Sequence, residues 1–416
     1  MVASHDVDSN ALSKLDDPAI PAFRELIADG YEIATALAHA QGIELNQVAI
    51  EQTAWRPGHS LTLLLSGVES PAASRHYFAA TTRPTKGALG LAAGESRLWA
   101  WPMADDPQLP GMKTAMAPQQ LLGQLGIDQA VTGVQVVSYR PGRRAVVRIQ
   151  AGDSVLFAKV VRPHKALQMH SIHKRLEQAL PVPKSLGYSE AAGVVALQAM
   201  PGELMRSLVY SGVGPSAEQL LDVLNCLGAV DTTGLDTTAP DWRVREFSSS
   251  LTMVRPDLKE RLDELAGRIE EFESRIDSAV VPVHGDFHEA QLLMSKGRIS
   301  GVIDLDTVRM GHRIDDLATM IGHLSVLATT TTHPQRLQTY AARVLDGFDQ
   351  TVDPAHLRAA VAAVVLGLAT GPFRVLEPNW FAVTEARIAM AEQWIDSARR
   401  ASGTRRIEGE KCLITN

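Results

Sequence analysis

Apolar positions recur along the chain at two different periods, and the period changes near residue 46. Before it, Phe23, Leu26, Ile27, Tyr31, Ile33 and Leu37 follow the spacing of one buried helix face. After it, short runs alternate apolar and polar residues between turn residues, as strands do with one face on a core. The alternation predicts strands over Val134–Tyr139, Ala145–Gln150 and Val155–Val161, joined by turns at Arg140–Arg144 and Ala151–Asp153. A helix is expected over Lys165–Ala179 and a strand within 193–208. Helical spacing dominates the rest, broken by two apolar strands, Ala279–Val283 and Gly301–Asp306. The apolar run Ala359–Ala369 is about half of what a bilayer crossing needs and reads as a buried helix.

Two stretches repeat each other. "AWRPGHSLTLLLSG" (54–67) resembles "SYRPGRRAVVRIQAG" (138–152), and "YFAATTRPTKG" (77–87) resembles "LFAKVVRPHKA" (156–166). The same order of blocks predicts a duplicated hairpin-plus-strand unit. The stretch 99–118 between them is rich in Pro, Gly and Asp and reads as a linker. Pairing the two Phe-Ala steps sets Ala80 against Lys159. Lys159 interrupts an apolar strand, where an amine must either reach water at a sheet edge or find an anionic partner.

Composition narrows the picture. A chain of 416 residues with 45% apolar content is long enough for two or three domains, each with its own core. A net charge of −7 gives no bulk attraction to nucleic acid or anionic lipid. Cys226 and Cys412, the two cysteines, show no metal-like spacing, which fits a reducing, cytoplasmic setting. No secretory leader is expected, since the N-terminus lacks a basic stretch before an apolar one.

The chemistry concentrates in "HGDFHEAQ" (284–291), just after an apolar strand. Asp286 is followed five residues on by Gln291 and eighteen residues on by Asp304, itself on a second strand. "HGD", an amide at plus five and "ID" at plus eighteen together resemble the catalytic and metal loop of the aminoglycoside phosphotransferase and choline kinase superfamily. The usual amide is Asn; Gln291 brings the loop closer to the maltokinase and bacterial glucosamine kinase branch.

The resemblance implies an α+β, bilobal protein-kinase-like fold: a small antiparallel β N-lobe and a mostly helical C-lobe, preceded by an extra N-terminal α/β subdomain. The corresponding division is 1–115 (a degenerate repeat of the N-lobe hairpins), 116–200, 201–400 and a tail at 401–416. It also implies ATP and Mg²⁺ as cofactors, with Asp286 orienting the attacking hydroxyl. Gln291 and Asp304 would hold Mg²⁺ through oxygens, which suit a hard cation. Lys159, Arg143 and Arg144 would meet the ATP phosphates, and Gln198 and Met200, in the connector 197–202, the adenine. The lysine's usual helix Glu is out of place: Glu177 stands late, leaving Gln168 or His170 as substitutes, or no pairing.

The implied partners are nucleotide and a small hydroxylated molecule, without nucleic acid or membrane, in a monomer or homodimer. A sugar or amino sugar leads as acceptor, with an aminoglycoside, a choline-like alcohol or another metabolite as alternatives. A catalytically weak, nucleotide-binding relative is the competing class. Asp306, His288, Arg374 and Trp380 are the candidate acceptor contacts. His284 is assigned to loop support, and Asp316 to capping its helix or bracing the loop.

Overall fold

The computed structural model describes residues 16–72, 74–231, 233, 235, 242–275 and 278–413; for residue 124 and for 403–413 only backbone is described. The chain divides into two compact units. The first comprises 1–171, 184–199 and 372–381; the second comprises 172–183, 200–371 and 382–416. The expected subdomain boundary at 115 therefore lies inside the first unit. The chain passes from the first unit to the second between Ala199 and Met200, in the stretch read as the connector.

The first unit holds two five-stranded antiparallel sheets. One comprises β1 (Leu45–Arg56), β2 (Ser60–Glu69), β3 (Arg75–Thr81), β4 (Leu89–Ala93) and β5 (Ser96–Pro102), after helix α1 (Phe23–His39). The other comprises β6 (Val131–Arg140), β7 (Arg144–Ala151), β8 (Ser154–Val161), β9 (Ser185–Ser189) and β10 (Val194–Gln198). Their spatial orders match: β1-β2-β3-β5-β4 and β6-β7-β8-β10-β9. Strand β7 buries Ala145, Val147, Ile149 and Ala151 in strict alternation, as its sequence predicts.

The supposed linker at 99–118 is structured instead. Trp99–Pro102 completes β5, and Leu109, Met112 and Ala115 are fully buried in the core of the second sheet. Pro and Gly there bound short elements, α2 (Met112–Met116) and α3 (Gln119–Gln124), and do not free the chain. Helix α4 runs Ala166–Leu176, shorter than expected. The expected strand within 193–208 ends at Gln198, and β11 (Glu203–Leu204) and α5 (Met205–Val209) follow.

The second unit is mostly helical: α6 (Ala217–Gly228), α7 (Val244–Val254), α8 (Lys259–Glu273), α9 (Arg313–Ala328), α10 (Pro334–Phe348) and α11 (Pro354–Ala369). Among these lie a two-stranded ladder, β12 (Val280–Val283) with β15 (Arg309–His312), and a sheet of β11, β13 (Leu292–Ser295) and β14 (Arg298–Val302). By length and composition α11 and the turn after it would pass for a membrane span, but 67% of that window is buried inside the protein. A short helix α12 (Gly371–Arg374) precedes α13 (Trp380–Leu413), whose backbone runs into the expected tail as far as Leu413.

Candidate active site

The loop of the second unit is built by two strand pairings. β12 pairs with β15, Val283 opposite Arg309, and delivers His284 beside the start of α9. There Asp316, in the first turn of that helix, receives the His284 N–H at 2.7 Å on Oδ2 and the Gly285 N–H at 2.9 Å on Oδ1. An acid in a first helical turn is favoured by the exposed helix N–H groups. Here one fully buried carboxylate also satisfies two consecutive loop donors. Burial raises its pKa, against the opposing pull of His284 and those two N–H groups. Asp316 thus braces the loop, and so does His284: its Nε2 lies 3.0 Å from the Ile303 carbonyl, and its own carbonyl accepts from Thr307 Oγ1 at 2.9 Å.

The second pairing joins the other two motif positions. β13 and β14 pair with Leu292 opposite Val302, and one step on the Ile303 N–H donates to the Gln291 carbonyl at 2.9 Å. The ladder thus sets Gln291 opposite Ile303, one residue before Asp304 in the chain. Asp304 takes a left-handed backbone, φ 59°, as the chain leaves β14. The Gln291 amide nitrogen stands 3.5 Å from Asp286 Oδ2 and 3.2 Å from His288 Nε2. Asp306, two residues past Asp304, is half-buried in the next turn.

His288 lies between two carboxylates, with Nε2 3.7 Å from Asp286 and Nδ1 3.6 Å from Glu289. Burial pushes its pKa down, but the two acids outweigh burial and raise it to about 9. Asp286 is half-buried, which raises its pKa; His288, His323 and His284 more than offset that and hold it below the usual carboxylate value. Asp286 is therefore ionised at neutral pH. His323 stacks on His288 with ring centroids 4.0 Å apart, and burial plus the His288 charge lower its pKa to about 4. Glu289, which sequence reasoning passed over, is fully buried and takes Arg206 Nε at 2.8 Å and Nη2 at 2.7 Å. Its place inside "HGDFHEAQ" was the one available signal; the partner on α5 was not legible.

In the first unit Lys159 lies on β8, between β7 and β10, with Val146 and Val195 as its rung neighbours. The strand is central and the residue only 9% exposed, so the edge-strand reading fails. A buried amine needs a charged partner to offset its lost hydration. Its counterpart Ala80 is fully buried on the equally central β3. Of the residues proposed to pair with Lys159, Glu177 takes Lys174 at 3.1 Å, and His170 faces Ser185 Oγ at 2.8 Å and stacks on Tyr188.

The β6–β7 turn is held by Asp106, whose Oδ2 accepts from Tyr139 OH at 2.8 Å and Gly142 N at 2.7 Å. The β1–β2 turn has the same device: Asp17 Oδ2 accepts from Trp55 Nε1 at 3.0 Å and Gly58 N at 2.8 Å. Arg143 on the first of these turns is partly buried. Burial, and the charges of Arg56, Arg140, Arg374 and Arg144, lower its pKa. Arg374 and Trp380 thus belong to the unit of the second sheet, not to that of Asp286. Trp380 is a buried packing residue, stacked on Phe381 at 3.9 Å and 6.1 Å from Phe373. Gln198 N donates to the Lys184 carbonyl at 2.9 Å, and Met200 opens the second unit.

Residues 136–360 match the family model described as the phosphotransferase enzyme family (APH). The chain belongs to this family. It is a small-molecule phosphotransferase with an alcohol acceptor. No curated protein is matched. Among solved structures, the chain is similar to a thermostable mutant of aminoglycoside phosphotransferase APH(4)-Ia with ADP and hygromycin B, at 15% identity and TM-score 0.47, over 68% of this chain and 97% of that one. It is similar to spectinomycin phosphotransferase APH(9)-Ia with ADP and spectinomycin at 14% identity and TM-score 0.48, over 68% and 98%. It is also similar to macrolide 2'-phosphotransferase MphH from Brachybacterium faecium at 19% identity and TM-score 0.40, over 66% and 97%.

Proposed function

We propose that this phosphotransferase uses Mg-ATP and transfers the γ-phosphate to a hydroxyl of a sugar or amino sugar, in the manner of the maltokinase and glucosamine kinase branch. The observation that supports the reading is the ladder bond from Ile303 to the Gln291 carbonyl, one residue before Asp304, with the Gln291 side chain 3.5 Å from Asp286. Oxygen donors such as Gln291 and Asp304 fit a hard, partly hydrated cation such as Mg²⁺. When bound, that ion neutralises phosphate charge.

The chain's own residues do the rest. Asp286, ionised and half-exposed, accepts a hydrogen bond from the acceptor hydroxyl and orients its oxygen for attack on the γ-phosphorus, taking the proton as the new O–P bond forms and the bond to the departing ADP breaks. His288 fixes the carboxylate by charge. Lys159 and the turn arginines Arg143 and Arg144 supply positive charge for the nucleotide phosphates, and Gln198 and Met200 flank the adenine. The first sheet, with Ala80 in place of the lysine, is a duplicate of the nucleotide sheet that has kept the scaffold and lost the phosphate grip.

A paired experiment tests the assignment. Asp286→Asn should keep ATP affinity by calorimetry and lower kcat with the best acceptor by about 10²–10⁴-fold. Lys159→Met should also weaken ATP binding, by about tenfold or more, the worth of a charge-assisted contact. Unchanged turnover in Asp286→Asn refutes the kinase reading.

A further inference from the structure

Beside Asp286, wholly within the second unit, lies a cavity of about 260 Å³. One wall is a helical stripe of α11 that includes Ala360, Ala363, Val364 and Leu368. Trp242 and Phe247 also line the cavity. Gly367 lets the Phe247 ring pack against α11, since a Cβ there would come within 2.9 Å of the ring.

Several of the cavity's polar groups are engaged with protein. Asp315 accepts from Trp242 Nε1 on one oxygen and from the His312 N–H on the other, both at 3.2 Å. The Thr319 hydroxyl donates back to the Asp315 carbonyl at 2.7 Å. Asp286 and Arg309 also line the cavity, and they oppose each other in sign. Among the described lining residues the carboxylates are Asp286 and Asp315, the second already taken by Trp242 and the His312 N–H, and Arg309 repels ammonium groups.

We propose that the acceptor is a neutral hydroxylated molecule with an extended apolar face. Its hydroxyl is presented to Asp286, and its hydrocarbon or aromatic body lies in the cavity lined by α11, Trp242 and Phe247. A sugar carrying an apolar substituent meets this description; a polyamine sugar does not. The inference rests on the phosphotransfer role of Asp286 and adds the chemical class of what is phosphorylated.

The test uses the full chain and matched probes: methyl, hexyl and phenyl β-glucoside, hexanol against methanol, and kanamycin as the polycation. Binding is read by calorimetry and tryptophan fluorescence, and turnover by ATP consumption. Each buried methylene is worth about fourfold in affinity, so the hexyl and phenyl glucosides should bind at least about tenfold more tightly than the methyl glucoside. Kanamycin should not outcompete them. Leu368→Asp, and Phe247→Gln as a milder second variant, should narrow the hexyl-to-methyl ratio to about threefold or less.

Equal binding of every apolar-bodied probe and its methyl counterpart, absence of binding included, overturns the inference. So does an unchanged ratio in both variants, or tighter binding of kanamycin. The two readings fail separately. Turnover of some acceptor without the chain-length ratio sinks the apolar class and leaves phosphotransfer standing. A clear ratio, with the same ATP consumption in wild type and Asp286→Asn, sinks the catalytic role of Asp286.

Discussion

Asp316 shows what a single buried side chain can decide. It makes no contact with the proposed chemistry, yet it holds the His284 and Gly285 N–H groups that set the direction of the loop bearing Asp286. Each buried donor left without a partner costs about 1–3 kcal/mol. Asp316→Ala should therefore lower unfolding stability by roughly 2–5 kcal/mol in urea titrations. It should also lower kcat, because Asp286 loses its fixed position. Asp316→Asn keeps one acceptor oxygen and should lose about half as much. A stable, fully active Asp316→Ala protein would show that the loop is held by other contacts. The sequence allowed this role for Asp316 from its position seven residues past Arg309 on a helix start. The two donors it serves could be named only once β12 and β15 were paired.

At the scale of elements, the loop is a turn between a strand and the helix that anchors it. Gly285 adopts φ 76°, a region that costs residues with a Cβ. A Cβ there would also run into the Arg309 guanidinium and come within 2.6 Å of the Thr307 carbonyl. Gly285→Ala should cost at least about 1–3 kcal/mol from backbone strain alone, read as a lower midpoint of urea denaturation. Turnover should fall further than stability, since the displaced groups border Asp286. Equal activity of the variant would mean that the turn can relax without moving the carboxylate. The "HGD" pattern made the glycine visible. The element boundaries at 99–118 and 193–208 were less legible, because Pro and Gly punctuate short buried elements as readily as they mark linkers.

At the scale of the molecule, the first unit carries one sheet order twice, with an aspartate pinning the corresponding turn each time. The sequence bears this out in a place the repeat reading had not reached: "DDPAIP" (16–21) and "DDPQLP" (105–110) precede the two hairpins. The pair gives a comparison within one protein. Asp17→Ala and Asp106→Ala each strand two buried donors, and each should cost roughly 2–5 kcal/mol. Only Asp106→Ala should also weaken ATP binding, because its turn carries Arg143 and Arg144. Equal effects on ATP affinity, measured by calorimetry at a temperature where both variants are folded, would deny the second sheet its special role.

What the sequence determined by itself is what depends on local spacing. Strand and helix periods, the Asp286, Gln291 and Asp304 series, and the lysine inside an apolar strand are all one-dimensional patterns. Each reflects a physical demand made over a few residues: one buried face, one loop, one charge that must be offset. The tertiary structure decided what depends on meetings across the chain. It made β8 central and not an edge strand, and it assigned Trp380 to packing. It also set Glu289 against Arg206, and brought α11, Trp242 and Phe247 to one cavity beside Asp286. Strand order and helix packing follow from which surfaces bury best against one another. That is a property of the whole fold, and no stretch of a few residues carries it.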